Sequence, residues 1–206
     1  MMKSNVKKIL RIDSSASNDS ITRRLGDEVV RRLQQQLVDS EVIVRNLNDG
    51  VGFIKPDWVE ASLTQPSDRN IEHMAALTDS DQLVNELESA EVIVITAPVY
   101  NFSIPAVLKA YIDMICRAGL SFSYTENGPL GLLKDRPVYI VMASGGVPFG
   151  GPVDFASGYL RHILGFIGIR DVRPVFAEAT NSNADSENDA LNMLEKWLPY
   201  EVTAAA

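Results

Sequence analysis

The chain has 206 residues, of which 46% are apolar, and it carries a formal net charge of −8 at pH 7. This length suits one sizeable α/β core rather than two, and the apolar content argues against disorder. The negative charge disfavours nucleic acid and anionic membrane surfaces as partners. The single cysteine, Cys116, excludes an internal disulfide, and with only two histidines we expect no metal site.

The first residues lead directly into a strand pattern, and no apolar run has the length of a membrane-spanning helix. Because we also find no signal-peptide pattern, we expect a cytoplasmic protein. Residues 1–206 are expected to form a single domain.

Strand and helix patterns alternate along the chain. The predicted strands are residues 6–12, 41–47, 90–97, 137–142 and 172–178. The predicted helices are the apolar stripe from Ile21 to Leu37 and residues 79–89, 104–115, 155–166 and 185–198. Such alternation predicts an α/β protein with parallel strands, right-handed crossovers and helices on both faces of the sheet. We predict a doubly wound five-stranded parallel sheet with strand order 2-1-3-4-5.

Two segments do not fit this alternation. Residues 48–80 are polar with scattered aromatic side chains, and we interpret them as an insertion or a partner-contact segment. Residues 122–131 form a turn-rich excursion. At the far end, residues 204–206 are predicted to be a frayed tail.

Three loops of unusual composition follow strands one, three and four, and the predicted strand order brings them to one crevice. The first loop, residues 14–22, opens a helix whose N–H groups, with the hydroxyls of Ser20 and Thr22, can bind a phosphate monoester. The alternative is that these residues only cap the helix and form a turn.

The second loop comprises Val99, Tyr100, Asn101 and Phe102. Its backbone can read the edge of a heterocycle and an aromatic side chain can stack on the ring, although a purely structural βα loop is equally compatible. The third loop comprises Ala143, Ser144, Gly145 and Gly146. Its glycines let a ligand approach the backbone closely, and the alternative is a flexible turn.

Several motifs are missing from the sequence. There is no G-x-x-x-x-G-K-[ST], no G-x-G-x-x-G after strand one and no G-x-S-x-G. The chain therefore lacks the signatures of P-loop proteins, dinucleotide-binding Rossmann domains and α/β-hydrolases.

At these loops the chain resembles a known family, the FMN-dependent NADH-azoreductases within the flavodoxin-like quinone reductases. The segments that carry the resemblance are residues 97–102, residues 122–129 with Gly131 and Leu132 after them, residues 143–146 and residues 164–168. One departure is Ser144, which stands where family members often carry an arginine.

The resemblance implies a flavodoxin-like fold and a homodimer with one FMN per subunit at the dimer interface. It implies that the phosphate side is held by Ser15, Ser20, Ile21 and Thr22. It implies that the isoalloxazine is held by Val99, Tyr100, Asn101, Phe102, Ala143, Ser144, Gly145 and Gly146.

The function expected from this resemblance is two-electron, ping-pong reduction of quinones and azo compounds, with NADH as the electron donor and bound FMN carrying the chemistry. No side chain is required as a general acid or base. We expect Tyr124 and Phe166 to line the substrate pocket, although a core position for Phe166 is equally compatible. The physiological acceptor and the choice between NADH and NADPH stay open.

There are two alternative classes of function. The first is a flavodoxin-like FMN electron carrier without NADH-dependent activity of its own, against which the two long excursions argue. The second is a hydrolase of a phosphopantetheine linkage, a label given to some family members. The sequence supplies neither a metal cluster nor an activated nucleophile for that reaction.

Overall fold

The computed structural model describes residues 6–199, so the predicted frayed tail at residues 204–206 lies outside the described part of the chain. The main sheet has five parallel strands, β1 (Lys7–Asp13), β2 (Ser40–Asn46), β3 (Val92–Pro98), β6 (Val138–Ala143) and β7 (Val172–Ala177). Their spatial order is β2-β1-β3-β6-β7. This order confirms the predicted 2-1-3-4-5 arrangement, because two further strands form a separate hairpin.

The helices of the described residues are α1 (Ile21–Gln36), α2 (Pro56–Leu63), α3 (Ile71–Ser89), α4 (Ala106–Ile115), α5 (Ser157–Phe166) and α6 (Ser186–Glu195). Two of them begin at side-chain caps, since Ser20 accepts a hydrogen bond from the Arg23 amide and Asn70 accepts one from the His73 amide. None of these helices combines the length and apolar character needed to cross a bilayer.

Alternate residues of each strand bury their side chains on opposite faces of the sheet. Leu10 and Ile12 of β1 pack in the cluster that contains the apolar faces of α3, α4 and α5. Ile9 packs in the second cluster, with the apolar faces of α1 and α6. Helices therefore cover both faces, as the sequence predicted.

Residues 48–80, interpreted as an insertion or a partner-contact segment, contain more helix than the sequence predicted. This segment contains α2, and α3 begins at Ile71 rather than at residue 79. Both helices bury only a narrow face, which includes Trp58 and Ala61 of α2 and Leu77 of α3. Their exposed sides are polar enough to hide the helical period in the sequence.

The excursion at residues 122–131 is a β-hairpin. Its strands β4 (Phe122–Thr125) and β5 (Gly128–Gly131) pair antiparallel. The hairpin is held against the end of α5, because the Leu133 amide donates to the Ile167 carbonyl at 3.0 Å. The excursion is thus a built element of the fold, and it carries one of the predicted pocket residues, Tyr124.

Candidate functional site

The three predicted loops meet at the carboxyl edge of the sheet. Strands β1, β3 and β6 are neighbours, and the Ser14 amide and hydroxyl both donate to the Thr96 carbonyl, at 3.1 and 2.7 Å. The Val99 amide donates to the Ala143 carbonyl at 2.9 Å. These bonds connect the first loop to β3 and the second loop to the third. The predicted convergence of the three loops is therefore present in the structure.

The first loop combines buried hydroxyls with a helix start. Ser15 and Thr22 are each 1% exposed, and Ile21 is half-buried. The Ser20 hydroxyl caps α1 by accepting from the Arg23 amide at 3.2 Å, and it lies 3.2 Å from the Thr22 hydroxyl. The capping role considered for Ser20 is thus present. The amides of Ile21 and Thr22 are in the first turn, where an α-helix provides no internal acceptor.

A buried carboxylate lies behind the first loop. Asp13 is 2% exposed, and its Oδ1 accepts from Arg11 Nε at 2.9 Å and from the Thr96 hydroxyl at 2.7 Å. Its Oδ2 accepts from Arg23 Nη1 at 3.0 Å. Because a buried carboxylate is costly unless it is paired, these arginines offset the cost of burying the Asp13 side chain at the end of β1. Sequence reasoning did not identify this network.

The second loop is a tight turn with backbone strain. Asn101 and Phe102 have φ values of 49° and 72°, and Tyr100 and Ser103 exchange backbone hydrogen bonds of 2.9 and 3.0 Å. A bulky residue at positive φ is unusual and is found preferentially at functional sites. The turn leaves the side chains of Tyr100 and Phe102 41% and 54% exposed, so both rings are accessible to a ligand. Val99 is half-buried against the core.

The third loop presents its backbone rather than its side chains. Ser144 is 1% exposed, and its hydroxyl accepts from the amides of Gly146 at 3.3 Å and Val147 at 2.7 Å. A methyl group on Gly145 would lie 2.6 Å from Asn181, whereas one on Gly146 would meet no atom within 4 Å. The backbone at Gly146 therefore faces open space, while Ser144 turns its side chain inward and braces the loop from within.

The predicted substrate-pocket residues lie in a separate aromatic cluster. Phe122 of the hairpin is the centre of this cluster, with the ring of Tyr124 at 5.4 Å and that of Phe166 at 4.5 Å. Tyr124 is 76% exposed, whereas Phe166 is half-buried and packs against the core. Within residues 6–199, no hydrogen bond or ring contact connects Tyr124 or Phe166 with the three loops.

A fourth loop, after β7, supports the third loop and was missed in the sequence. The amide of Thr180 donates to the Ser144 carbonyl at 3.0 Å, and the amide of Asn181 donates to the Gly145 carbonyl at 3.3 Å. The signal that could have identified it is the polar, turn-forming stretch at residues 178–185, directly after strand five. It is the same kind of signal that indicated the first loop.

The assembled edge can hold a flat, uncharged, hydrogen-bonding ring with an anionic tail. Two accessible aromatic rings and open backbone at Gly146 suit the ring. The free amides at the start of α1 suit a phosphate. Among the described residues, no group of three His, Cys, Asp or Glu side chains is placed to bind a metal ion. The donor set at this edge therefore fits FMN.

Comparison with known proteins agrees with this fit. A family model described as a flavodoxin-like fold matches residues 7–199. The chain is 42% identical over 206 residues to FMN-dependent NADH:quinone oxidoreductase 1 of Hahella chejuensis, covering 100% of both chains. It is 46% identical over 165 residues to the protein of the same name from Colwellia psychrerythraea, covering 80% of this chain and 85% of that protein.

Among solved structures, one similar protein is an FMN-dependent NADH-azoreductase from Bacillus anthracis strain Ames Ancestor in complex with FMN. The TM-score is 0.81 at 27% identity, and the match covers 93% of this chain and 97% of that one. An azoreductase from the Sterne strain of the same organism gives a TM-score of 0.81 at 26% identity over 92% of this chain and 96% of the other.

Proposed function

This chain belongs to the family of FMN-dependent NADH:quinone oxidoreductases with a flavodoxin-like fold, and from that premise we propose that it reduces quinones and azo compounds with electrons from NADH. The observation that carries the proposal is the 42% identity along the whole chain to a protein of that name. The same relationship argues against a simple electron carrier, because the relatives are named for NADH-dependent reduction.

FMN is the cofactor that the edge of the sheet would hold. The phosphate side is assigned to Ser15, Ser20, Ile21 and Thr22, through the hydroxyls and the amides at the start of α1. The isoalloxazine side is assigned to the second and third loops, where Tyr100 and Phe102 expose their rings. Ser144 acts here through its backbone and by bracing its loop, since its side chain is buried.

When bound, FMN would supply the two-electron redox chemistry that connects NADH with the acceptor. The protein residues bind and orient the participants. The uncharged backbone of the third loop orients the ring. The exposed rings of the second loop would exclude water from one side of the isoalloxazine. No side chain needs to transfer a proton, because water can supply protons to the reduced product.

We further propose that the enzyme is a homodimer of single FMN-binding domains. Large apolar side chains of residues 48–80 are exposed, among them Phe53 at 71%, Leu63 at 78% and Ile71 at 79%. Several large apolar side chains exposed within one segment favour a protein–protein interface at that segment. In the proposed dimer, the aromatic cluster of Tyr124 and Phe166 of one protomer would lie beside the FMN site of its partner. Within one protomer, this cluster does not contact the three loops. We place the protein in the cytoplasm, where NADH is available.

An absorbance spectrum of the purified protein, taken before and after anaerobic addition of NADH, tests the proposed function. Oxidised-flavin bands that bleach in one step support an NADH-reducible flavoenzyme. A colourless protein that does not take up added FMN would refute the cofactor assignment. Accumulation of a blue semiquinone without NADH oxidation would instead favour the electron carrier.

The substrate pocket has a separate test. We expect Phe166→Ala to raise the KM for quinones several-fold while the affinity for FMN is unchanged, because the ring lies beside Phe122 and Tyr124 and away from the three loops. Normal quinone turnover in the Phe166 variant would remove this residue from the pocket.

A further inference from the structure

The side chain of Arg23 lies under the first loop with all three of its nitrogens in hydrogen bonds. The guanidinium is 13% exposed. Nε donates to the Ser17 carbonyl at 3.1 Å, and Nη2 donates to the Ser15 carbonyl at 3.2 Å. The remaining contacts are Nη2 to Asn46 Oδ1 at 2.9 Å and Nη1 to Asp13 Oδ2 at 3.0 Å. One side chain therefore joins the first loop to the ends of β1 and β2.

A second side chain holds the same loop carbonyl. Asn48 Nδ2 donates to the Ser15 carbonyl at 2.6 Å, from the segment that follows β2. The Ser15 carbonyl thus has two donors from different parts of the chain. Such double anchoring indicates that the orientation of this peptide group is determined by tertiary contacts and not by the local turn alone.

The orientation of the carbonyls decides where the amides point. In a trans peptide the C=O and the next N–H point in opposite directions. With the carbonyls of Ser15 and Ser17 directed at Arg23, the amides of Ala16 and Asn18 are directed away from it. The Ala16 amide accordingly contacts the Tyr100 hydroxyl at 3.4 Å, on the side of the second loop. The loop therefore turns donors toward the site and withdraws the oxygens that would repel an anion.

Arg23 orients the peptide groups of the first loop through the geometry of its hydrogen bonds and not as a free positive charge. Its Nη1 is paired with the buried Asp13, so its charge is already balanced. A lysine would keep the charge but lacks the planar fork that reaches four acceptors at once. The next residue, Arg24, is also paired with carboxylates, but its side chain is 46% exposed and its partners, Asp19 and Glu187, lie at the surface.

We propose that Arg23 is a positioning residue that shapes the first loop into a site for a phosphate monoester and thereby makes the protein select FMN over riboflavin. The inference rests on the proposed function, because it presupposes that a flavin binds at this edge. It adds to that function a residue that sets cofactor selectivity without touching the cofactor.

The test compares the dissociation constants of FMN and riboflavin, which differ only in the phosphate. Both are measured by flavin fluorescence quenching on the full chain after removal of its flavin. We expect Arg23→Lys to raise the Kd for FMN about tenfold, the equivalent of one lost hydrogen bond to a charged group, and to change that for riboflavin less than about twofold. Asn48→Ala should act in the same direction with a smaller effect. Arg24→Lys is the matched control and should leave the ratio of the two constants unchanged.

The possible outcomes separate the inference from the proposed function. If Arg23→Lys and Asn48→Ala change the Kd for FMN and the Kd for riboflavin equally, or change neither constant, the role of Arg23 is overturned. Binding of FMN by the wild-type protein would then leave the proposed function intact. A wild-type protein that binds neither flavin overturns both. If Arg23→Lys does not fold, Asn48→Ala decides the question, because Asn48 is an exposed residue and circular dichroism can verify that its variant is native.

Discussion

Among the described glycines, Gly131 makes the closest approach to neighbouring backbone. We therefore expect Gly131→Ala to lower the free energy of unfolding substantially. A Cβ at this position would lie 2.1 Å from the Gly168 nitrogen and 2.5 Å from both the Gly168 Cα and the Ile167 carbonyl carbon. All three are backbone atoms, so no side-chain rotation can relieve the overlap. The hairpin would have to move away from the end of α5.

The size of the effect follows from these distances. Optimal carbon contacts lie at about 3.5–4.0 Å, so the two segments must separate by more than about 1 Å. That movement breaks the 3.0 Å hydrogen bond from the Leu133 amide to the Ile167 carbonyl, which costs about 1 kcal/mol. Overpacking adds about 1–3 kcal/mol. We therefore expect the free energy of unfolding to fall by about 2–4 kcal/mol.

Urea unfolding of the flavin-free protein, followed by circular dichroism, measures this change without a contribution from cofactor binding. Gly165→Ala is a matched control, because Gly165 lies in α5 close to the same contact and a Cβ there meets no atom within 4 Å. We expect this control to be neutral or to stabilise by up to about 1 kcal/mol, since alanine is the better helix former.

The variant should also change function selectively. The hairpin carries Tyr124, so its displacement should raise the KM for quinones while the FMN site at the three loops keeps its affinity. If Gly131→Ala unfolds within about 0.5 kcal/mol of wild type with an unchanged m-value, then the approach between the hairpin and α5 is not as close as described, and the reasoning fails.

Three further perturbations test other parts of the structure. Gly146→Ala should leave the free energy of unfolding within about 0.5 kcal/mol of wild type, because no atom lies within 4 Å of the new methyl, yet it should weaken FMN binding in a fluorescence titration; unchanged FMN affinity would contradict the placement of the ring. Burial raises the pKa of Cys116 to about 11, so a disulfide reagent at pH 8 should modify the native thiol far more slowly than the urea-unfolded one; equal rates would contradict this. The hydrogen bond from Arg31 is the main cause that lowers the pKa of Glu28 from 4.5 to about 2. Because the pKa of Glu28 is lower in the folded than in the unfolded state, Glu28→Gln should lower the free energy of unfolding most above about pH 5, and this loss should fade as the pH falls toward 2. A loss that does not vary with pH in urea unfolding would contradict the ion pair.

The parts of the fold that could be predicted are those with strong local signals. The stripe along α1 and the apolar runs of β1 and β3 show their periods directly. Their alternation and the right-handed crossover rule then indicate a doubly wound parallel sheet, for which 2-1-3-4-5 is a common strand order. Helix α2 and the first half of α3 were missed because their buried faces are narrow. The apolar groups of Trp58 and Leu77 are scattered among polar residues, and only packing against the rest of the core distinguishes them from surface residues.

In the candidate site, too, some features have local sequence signals and others depend on tertiary contacts. Loop composition was sufficient to identify the three segments, because hydroxyls, glycines and aromatic residues after buried strands are local features. Partners that are distant in sequence decide which groups those loops present to a ligand. Thr96 binds Ser14 across 82 positions, and Asn48 donates to the Ser15 carbonyl. Ser144 turns inward and Arg23 lies beneath its loop for the same reason. The sequence by itself determined the periods, the crossovers and the positions of the loops, since these depend on neighbours along the chain. Only the tertiary structure decided which donors and acceptors pair, because a buried polar group must find its partner in space.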